Sequence, residues 1–329
     1  MTENTHRTAL EAGLTAVAAS EEGLKAWEVR DDAAALVAAD QSDVRRAQGK
    51  PLSAIDGMAV GLKDVIDTVD FPTGYGSPIF ATHQPKKDAE IVSRLKQAGA
   101  VVLGKTKTTE FAYMQPTSTV NPWNERHTPG GSSSGSAAAI ARGHVPLALG
   151  TQTGGSVIRP ASFCGVYGWK PSRGRVPREG VFRTSATLDH VGGFARDLCD
   201  LTALAGVLVQ EDWTLMSAEH APRLCWLDMP YQSEMSEGAC NVFDAFLETH
   251  PQIKRRPAPT FLEGLSSAHK CVYDYEMSLE MAKLAADHWD LLSSDMQGAV
   301  VRGREISGGA YEDALEQGRL AEAALEVFF

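Results

Sequence analysis

Apolar positions in the first two thirds of the chain recur at two different spacings, and the switching between them predicts a layered protein. Residues 10–19 and 31–48 carry helical spacing, the second segment Ala-rich and ending in charge. Residues 51–56 read as a turn. Residues 58–67 form an apolar run with one lysine, Lys63, inside it, which predicts a strand; residues 71–77 read as a loop. Asp88 stands where it could cap a helix over residues 89–98, whose apolar positions are Ile91, Leu95 and Ala98. Val101-Val102-Leu103 predicts a short strand, residues 137–141 are good helix material, and residues 145–149 read as a buried strand. A basic, turn-rich loop covers residues 173–181, and residues 187–193 lead into a helix over 197–209. Helices alternating with short buried strands imply an α/β layered architecture. From about residue 222 the texture changes: a strand over 223–227 is followed by long helical patterns at 236–249, 265–292 and 310–329, the last ending in apolar residues mid-pattern.

Composition narrows the class without naming an activity. The chain has 329 residues, 43% hydrophobic and 22% charged, as in ordinary globular proteins with an ample core. Its formal net charge is −11, with no basic patch of the kind that recognises nucleic acid or an anionic membrane, so neither is expected as a partner. No apolar run reaches spanning length, and the first residues form no hydrophobic signal region. Five scattered cysteines without a Cys-x-x-Cys pair favour reduced thiols and a cytoplasmic location, and nine scattered histidines form no evident metal constellation. No metal or cofactor is therefore expected.

The chemistry concentrates between residues 128 and 171, where small residues dominate. Two Gly-Gly-Ser turns, Gly130-Gly131-Ser132 and Gly154-Gly155-Ser156, flank the predicted helix and strand. Apolar segments between them argue against a flexible linker. Two familiar motifs fit the letters but not their surroundings. Gly99 to Thr106 matches the phosphate-loop pattern, yet a helix precedes Gly99 and the residues between the glycines are strand-like, so no cradle of free N–H groups can form. Gly131-Ser-Ser133-Ser-Gly135 matches the nucleophile elbow, and His190 beside Asp189 invites a Ser-His-Asp reading, but no apolar strand precedes Gly131. Ser156 has the better setting. It ends a glycine turn directly after a buried strand, where consecutive N–H groups can form an oxyanion hole. Its base could be Lys63, neutral if buried, although a lone strand lysine is also commonly an exposed edge residue.

These residues resemble the amidase signature family, serine hydrolases that cleave carboxamides. The matching segments are Gly61-Leu62-Lys63-Asp64, Gly104-Lys105-Thr106 with Glu110-Phe111-Ala112, Pro129-Gly-Gly-Ser-Ser, Gly154-Gly155-Ser156, Pro160-Ala-Ser-Phe-Cys-Gly and Leu188-Asp189, spread from about residue 54 to 200. The resemblance implies an α/β fold: a single amidase-signature domain, with a mixed twisted sheet covered by helices on both faces. Residues 1–53 would be N-terminal helices packing on the core, 54–209 the catalytic core, and 210–329 a helix-rich C-terminal half of the same domain. Family members usually continue past this C-terminus, so that half is expected to be truncated.

The resemblance further implies a Ser-Ser-Lys triad. Ser156 would form the acyl-enzyme, while Ser132, held by a non-proline cis peptide after Gly131, would relay protons to and from Lys63. The N–H groups of Thr153, Gly154, Gly155 and Ser156 would bind the oxyanion. Three departures from the commonest family form (Ser134 in place of Gly, Gln152 in place of Asp, and Arg159 three residues after Ser156) look like the malonamidase branch. There the arginine holds a substrate carboxylate. Arg159, Gln152 and Ser133 are therefore candidate substrate contacts, with the alternative that Arg159 satisfies nearby carbonyls. Tyr113, Met114 and Trp123 could line the pocket or belong to the core. The expected activity is hydrolysis of a small carboxamide to carboxylate and ammonia, on a short acid such as malonamate, by a homodimer. The rival expectations are an amidotransferase component handing ammonia to a partner enzyme, and an impaired fragment with the same fold.

Overall fold

The structure, a computed structural model, describes residues 5–213 and 223–328. In chain order the regular elements are α1 (His6–Leu24), β1 (Trp27–Arg30), α2 (Asp32–Ala47), β2 (Ala59–Lys63), α3 (Glu90–Gln97), β3 (Val101–Thr106), α4 (Ser134–Ala141), β4 (Leu147–Gln152), α5 (Ile158–Cys164), β5 (Tyr167–Trp169), β6 (His190–Ala195), α6 (Leu198–Val209), β7 (Cys225–Asp228), α7 (Glu237–Thr249), β8 (Lys254–Pro257), α8 (Leu265–Glu280), α9 (Ala282–His288), α10 (Ser294–Glu305) and α11 (Gly308–Phe328). They fall into two compact units, Met1–Leu215 with Glu276–Arg304, and Met216–Tyr275 with Glu305–Phe329.

The first unit is built on a six-stranded mixed sheet in the order β1-β3-β2-β4-β6-β5. Its central three strands are parallel, with Lys63 of β2 opposite Thr106 of β3 and Leu62 opposite Leu149 of β4. The outer strands are antiparallel additions, Gln152 of β4 facing His190 of β6. Parallel strands buried on both faces read as unbroken apolar runs, and β2 and β4 are buried at every residue. Helices cover both faces, as the α/β reading expects. Helix α4 crosses β2, β3, β4 and β6, and all eight of its residues are buried, which only a run of Ser, Gly, Ala and Ile permits at this separation. Side-chain caps set several helix starts: Thr5 accepts from the Thr8 N–H, Asp31 from Ala34, and Asp197 from Cys199 and Asp200.

The structure differs from the sequence pattern in specific places. The strand expected over 58–67 ends at Lys63, because the Val65 and Ile66 N–H groups turn back onto the Lys63 carbonyl. Asp88 does not cap α3; its carboxylate accepts from the Val69 N–H and the Thr68 hydroxyl and pairs with Lys96. The segment 187–193, read only as leading into the next helix, holds the start of β6, in which Gly192 and Gly193 leave no side chain where Trp169 and Leu204 approach. Short β1 and β5, of four and three residues, carry too little pattern to be seen in the sequence. The helical pattern at 265–292 breaks after Glu280 into α8, α9 and a 3-10 turn, and α10 is not foreshadowed by the sequence pattern.

The second unit contains a two-stranded parallel ribbon, β7 with β8, where the pattern predicts a single strand, together with α7 and α11. Arg255 of β8 bridges Asp228 and Asp244. Helix α11 follows the expected pattern to Phe328; Phe329 lies outside the described residues. No described helix is long and apolar enough to cross a membrane.

Candidate active site

Two strand ends and the turn before α4 meet where the two Gly-Gly-Ser turns converge. Lys63 is the last residue of β2, Thr151 lies near the end of β4, and Ser132 stands just before α4. Lys63 is fully buried, and its Nζ donates to Ser132 Oγ at 2.6 Å, to Thr151 Oγ1 at 2.7 Å and to the Thr151 carbonyl at 3.5 Å. Burial holds the Lys63 ammonium well below its ordinary pKa, partly countered by the carboxylate of Asp189. A neutral amine has two N–H bonds and one lone pair. With Thr151 accepting those N–H bonds, the lone pair is left to accept the Ser132 proton.

The backbone brings the two turns together. The Gly131–Ser132 peptide is cis. Gly130 takes φ +79°, and a Cβ there would lie 2.8 Å from Pro160 Cα, so this corner admits only glycine. The Ser133 N–H donates to the Ser156 carbonyl at 3.3 Å, placing the serine turns side by side. Ser132 is fully buried and Ser156 is 8% exposed, and no hydrogen bond joins their hydroxyls. Among the described residues the N–H groups of Gly154, Gly155 and Ser156 donate to no protein acceptor, as an anion-binding turn requires.

The three other candidates have internal partners. Ser133 Oγ donates to the Thr151 carbonyl at 3.2 Å and accepts from the Thr151 N–H at 3.3 Å, clasping β4 beside Lys63. Gln152 Oε1 accepts from the Val157 and Ile158 N–H groups at 2.8 and 2.9 Å, serving as the cap of α5. Arg159 donates through Nε and Nη2 to the Gly131 carbonyl at 3.1 and 2.6 Å. The alternative reading of Arg159, satisfaction of a nearby carbonyl, is therefore what its observed contacts describe. Arg159 also lines a cavity of about 430 Å³, with Thr109, Tyr113, Met114, Thr128, Gly131 and Ser134 among others. Tyr113, buried, and Met114, half-exposed, both belong to the cavity wall, while Trp123 is exposed and not part of its lining.

The cavity wall is coupled to the buried network. The Thr109 N–H donates to the Ser132 carbonyl at 3.2 Å, and Thr109 Oγ1 donates to the Tyr113 carbonyl at 2.8 Å. Arg302 of α10 donates to the Tyr113 hydroxyl at 2.9 Å. Thr109 and Thr151 escape a reading of the sequence because an isolated threonine carries no pattern; only the register of β2 against β4 brings Thr151 to Lys63.

Both motifs set aside in the sequence have structural occupations. Lys105 is buried in β3, 3.0 Å from Asp64 Oδ1 and 2.6 Å from Thr73 Oγ1, not in a phosphate loop. Its burial pulls the ammonium pKa down against the pull of Asp64. His190 Nδ1 donates to the Leu188 carbonyl of its own loop at 2.7 Å.

Residues 8–235 match the family model described as Amidase. The chain belongs to the amidase family. Among solved amidase-like structures, one described as the crystal structure of an amidase shares 27% identity and superposes with a TM-score of 0.87, covering 98% of this chain and 75% of the other. A chain from a structure described as a vestigial protein complex revealing the origins of an s-triazine catabolic enzyme, in its inhibitor-bound form, shares 28% identity at a TM-score of 0.87, covering 99% and 76%. Among curated relatives, a glutamyl-tRNA(Gln) amidotransferase subunit from Chloroflexus aurantiacus is 43% identical over 208 residues, covering 61% of this chain and 43% of that protein. The amidase chain described here thus spans less than half the length of the curated relatives it matches.

Proposed function

We propose that this amidase cleaves the C–N bond of a carboxamide through a Ser156 acyl-enzyme. The observation that carries the reading is the fully buried Lys63, its pKa lowered by desolvation, 2.6 Å from Ser132 Oγ and beside the Ser156 turn. Rotation of the Ser156 side chain toward Ser132 completes the relay. Ser156 Oγ attacks the carbonyl carbon, and its proton passes through Ser132 to Lys63. The N–H groups of Thr153, Gly154, Gly155 and Ser156 hold the oxyanion; one such donor is typically worth about 100- to 1000-fold in rate. The relay returns the proton to the leaving nitrogen as the C–N bond breaks, releasing ammonia. Water then attacks the ester, gives its proton to the same relay, and leaves carboxylate and free Ser156.

Ammonia has two possible fates on this chemistry. Release to solvent is hydrolysis, on a short carboxylate-bearing amide such as malonamate, with Arg159 of the cavity wall pairing with the acid group. Delivery to a partner enzyme is the amidotransferase reading. The relatives favour delivery: glutamyl-tRNA(Gln) amidotransferase subunits match at 40–44% identity, against 27–28% for the amidase-like structures above. We therefore take one component of a cytoplasmic complex as the better-supported context, with a lone homodimeric hydrolase second.

The test is ammonia release from a panel containing malonamate, glutamine and neutral amides of similar size, for wild type and Ser156→Ala. Equal rates in both proteins would sink the proposal. Purification as a lone homo-oligomer at full activity would count against the setting in a complex.

A further inference from the structure

The Leu188-Asp189 pair stands in sequence only as part of a matching segment, and the acyl-enzyme scheme gives Asp189 no task. The structure places its carboxylate at a junction. Oδ1 accepts from the hydroxyls of Thr153 and Thr184, each at 2.6 Å, and Oδ2 accepts from the N–H groups of Thr184 and Ser185 at 2.8 and 3.0 Å. A carboxylate taking four donors is charge-assisted at each of them and fixed in orientation. Thr153 opens the glycine turn that ends in Ser156, and it lies two residues beyond Thr151, the acceptor of Lys63 Nζ. The loop that carries Asp189 is itself braced: Glu276 of α8 accepts from the Ser185 hydroxyl, the Thr187 N–H and the Thr187 hydroxyl.

We infer that Asp189 is a positioning residue with two separable effects: it anchors the Thr153 end of the oxyanion turn to the 184–189 loop, and it sets a negative charge beside the Thr151–Lys63–Ser132 network. This inference rests on the proposed Ser156 chemistry. The first effect is geometric. Amide dipoles act on a developing oxyanion only if they are already aimed, and a hydroxyl-to-carboxylate tether at the head of the turn removes its freedom to rotate away.

The second effect is electrostatic. Lys63 is packed by β3, β4 and α4. From β3 comes Lys105, which is turned to Asp64. The strand β4 and the helix α4 bring no titratable side chain. The start of β6 brings His190, and the loop before it Asp189; burial favours the neutral form of His190. The carboxylate of Asp189 is thus the counter-charge that opposes desolvation of Lys63, keeping its pKa from falling as far as burial alone would take it. A base of too low a pKa takes a proton poorly, so this charge sustains the strength of the relay.

The two effects are separated by the rate at which a fluorophosphonate labels Ser156, followed against pH in wild type, Asp189→Asn, Asp189→Glu and Thr153→Val, with thermal unfolding recorded for each. Asp189→Asn should label about 10- to 100-fold more slowly, and the pH at which labelling turns on should move down, because the charge that raises the lysine pKa is gone. Thr153→Val should slow labelling without moving that pH, since it removes the hydroxyl that ties the turn to Asp189 and Thr184 while leaving the Asp189 charge in place. Asp189→Glu, which keeps the charge, should keep the wild-type midpoint. An unmoved midpoint in folded Asp189→Asn overturns the electrostatic role, and an unchanged rate in Thr153→Val overturns the tether. If Asp189→Asn does not fold, a shifted midpoint in Asp189→Glu or a full rate in Thr153→Val overturns the inference. Absence of labelling in wild type rejects the Ser156 chemistry itself, a result distinct from all of these.

Discussion

Lys63 Nζ lies 2.6 Å from Ser132 Oγ, although 69 residues separate them and one belongs to a strand and the other to a turn. The contact exists because β2 and β4 are parallel neighbours and α4 sits directly over both. Parallel strands all present their carboxyl ends to one edge of the sheet, where α/β folds place their ligands. Lys63 and Thr151 both sit at that end, and the turn before α4 closes over them.

The first expectation concerns pH. A desolvated lysine must lose its proton to serve as base, so activity should rise with pH through a Lys63 pKa lying below the ordinary lysine value. Lys63→Met should lower kcat by about 100- to 10,000-fold and abolish that limb. A wild-type rate in the variant, or a limb at the ordinary lysine pKa, overturns the assignment.

Thr151 supplies a second test. Its hydroxyl and carbonyl take the Lys63 N–H bonds. Thr151→Val keeps the shape and removes the hydroxyl, leaving a buried amine one acceptor short, which typically costs about 1–3 kcal/mol. A lower kcat with little change in KM is expected, measured alongside thermal unfolding.

Arg159 is asked to do two things. Comparing malonamate with a neutral amide of the same size in wild type and Arg159→Ala separates them. Loss on malonamate alone supports carboxylate recognition. Equal losses on both assign the side chain to the Gly131 carbonyl that it already holds.

Away from the site, Lys105 and Asp64 form a buried ion pair at 3.0 Å. Removing one partner strands the other, so Lys105→Met should destabilise by about 3–5 kcal/mol. The double variant with Asp64→Leu should recover much of that loss, read by chemical denaturation.

His144 gives a pH prediction for stability. It is fully buried, accepting from the Trp27 indole N–H at 3.1 Å on Nδ1 and bonded to Ser20 Oγ through Nε2. Burial depresses its pKa from 6.5 to about 4. Between those values the unfolded chain binds a proton that the folded one does not, so stability should fall as pH drops from about 6.5 to about 4. The full effect is about 3 kcal/mol at 1.36 kcal/mol per unit. His144→Gln should flatten this part of the profile; an identical slope in both proteins refutes it.

Much of this was written in local pattern. The apolar runs of β2 and β4, the alanines of α4 and the two Gly-Gly-Ser turns each reflect a constraint on their own segment: burial on both faces, close packing, or a backbone corner that only glycine takes. They sufficed to predict a layered α/β protein and to choose Ser156 over Ser133. The sequence could not pair Lys63 with its acceptors. Thr151, Thr109 and Asp189 are single polar residues whose meaning depends on register, loop path and burial, and none of these is local. The same holds for Arg159 and Gln152, whose observed partners, the Gly131 carbonyl and the start of α5, are set by how two turns stack. Chain identity alone specified which residues could do chemistry; which of them lie within hydrogen-bonding reach was decided by the sheet that buries Lys63 and brings its amine to Ser132 and Thr151.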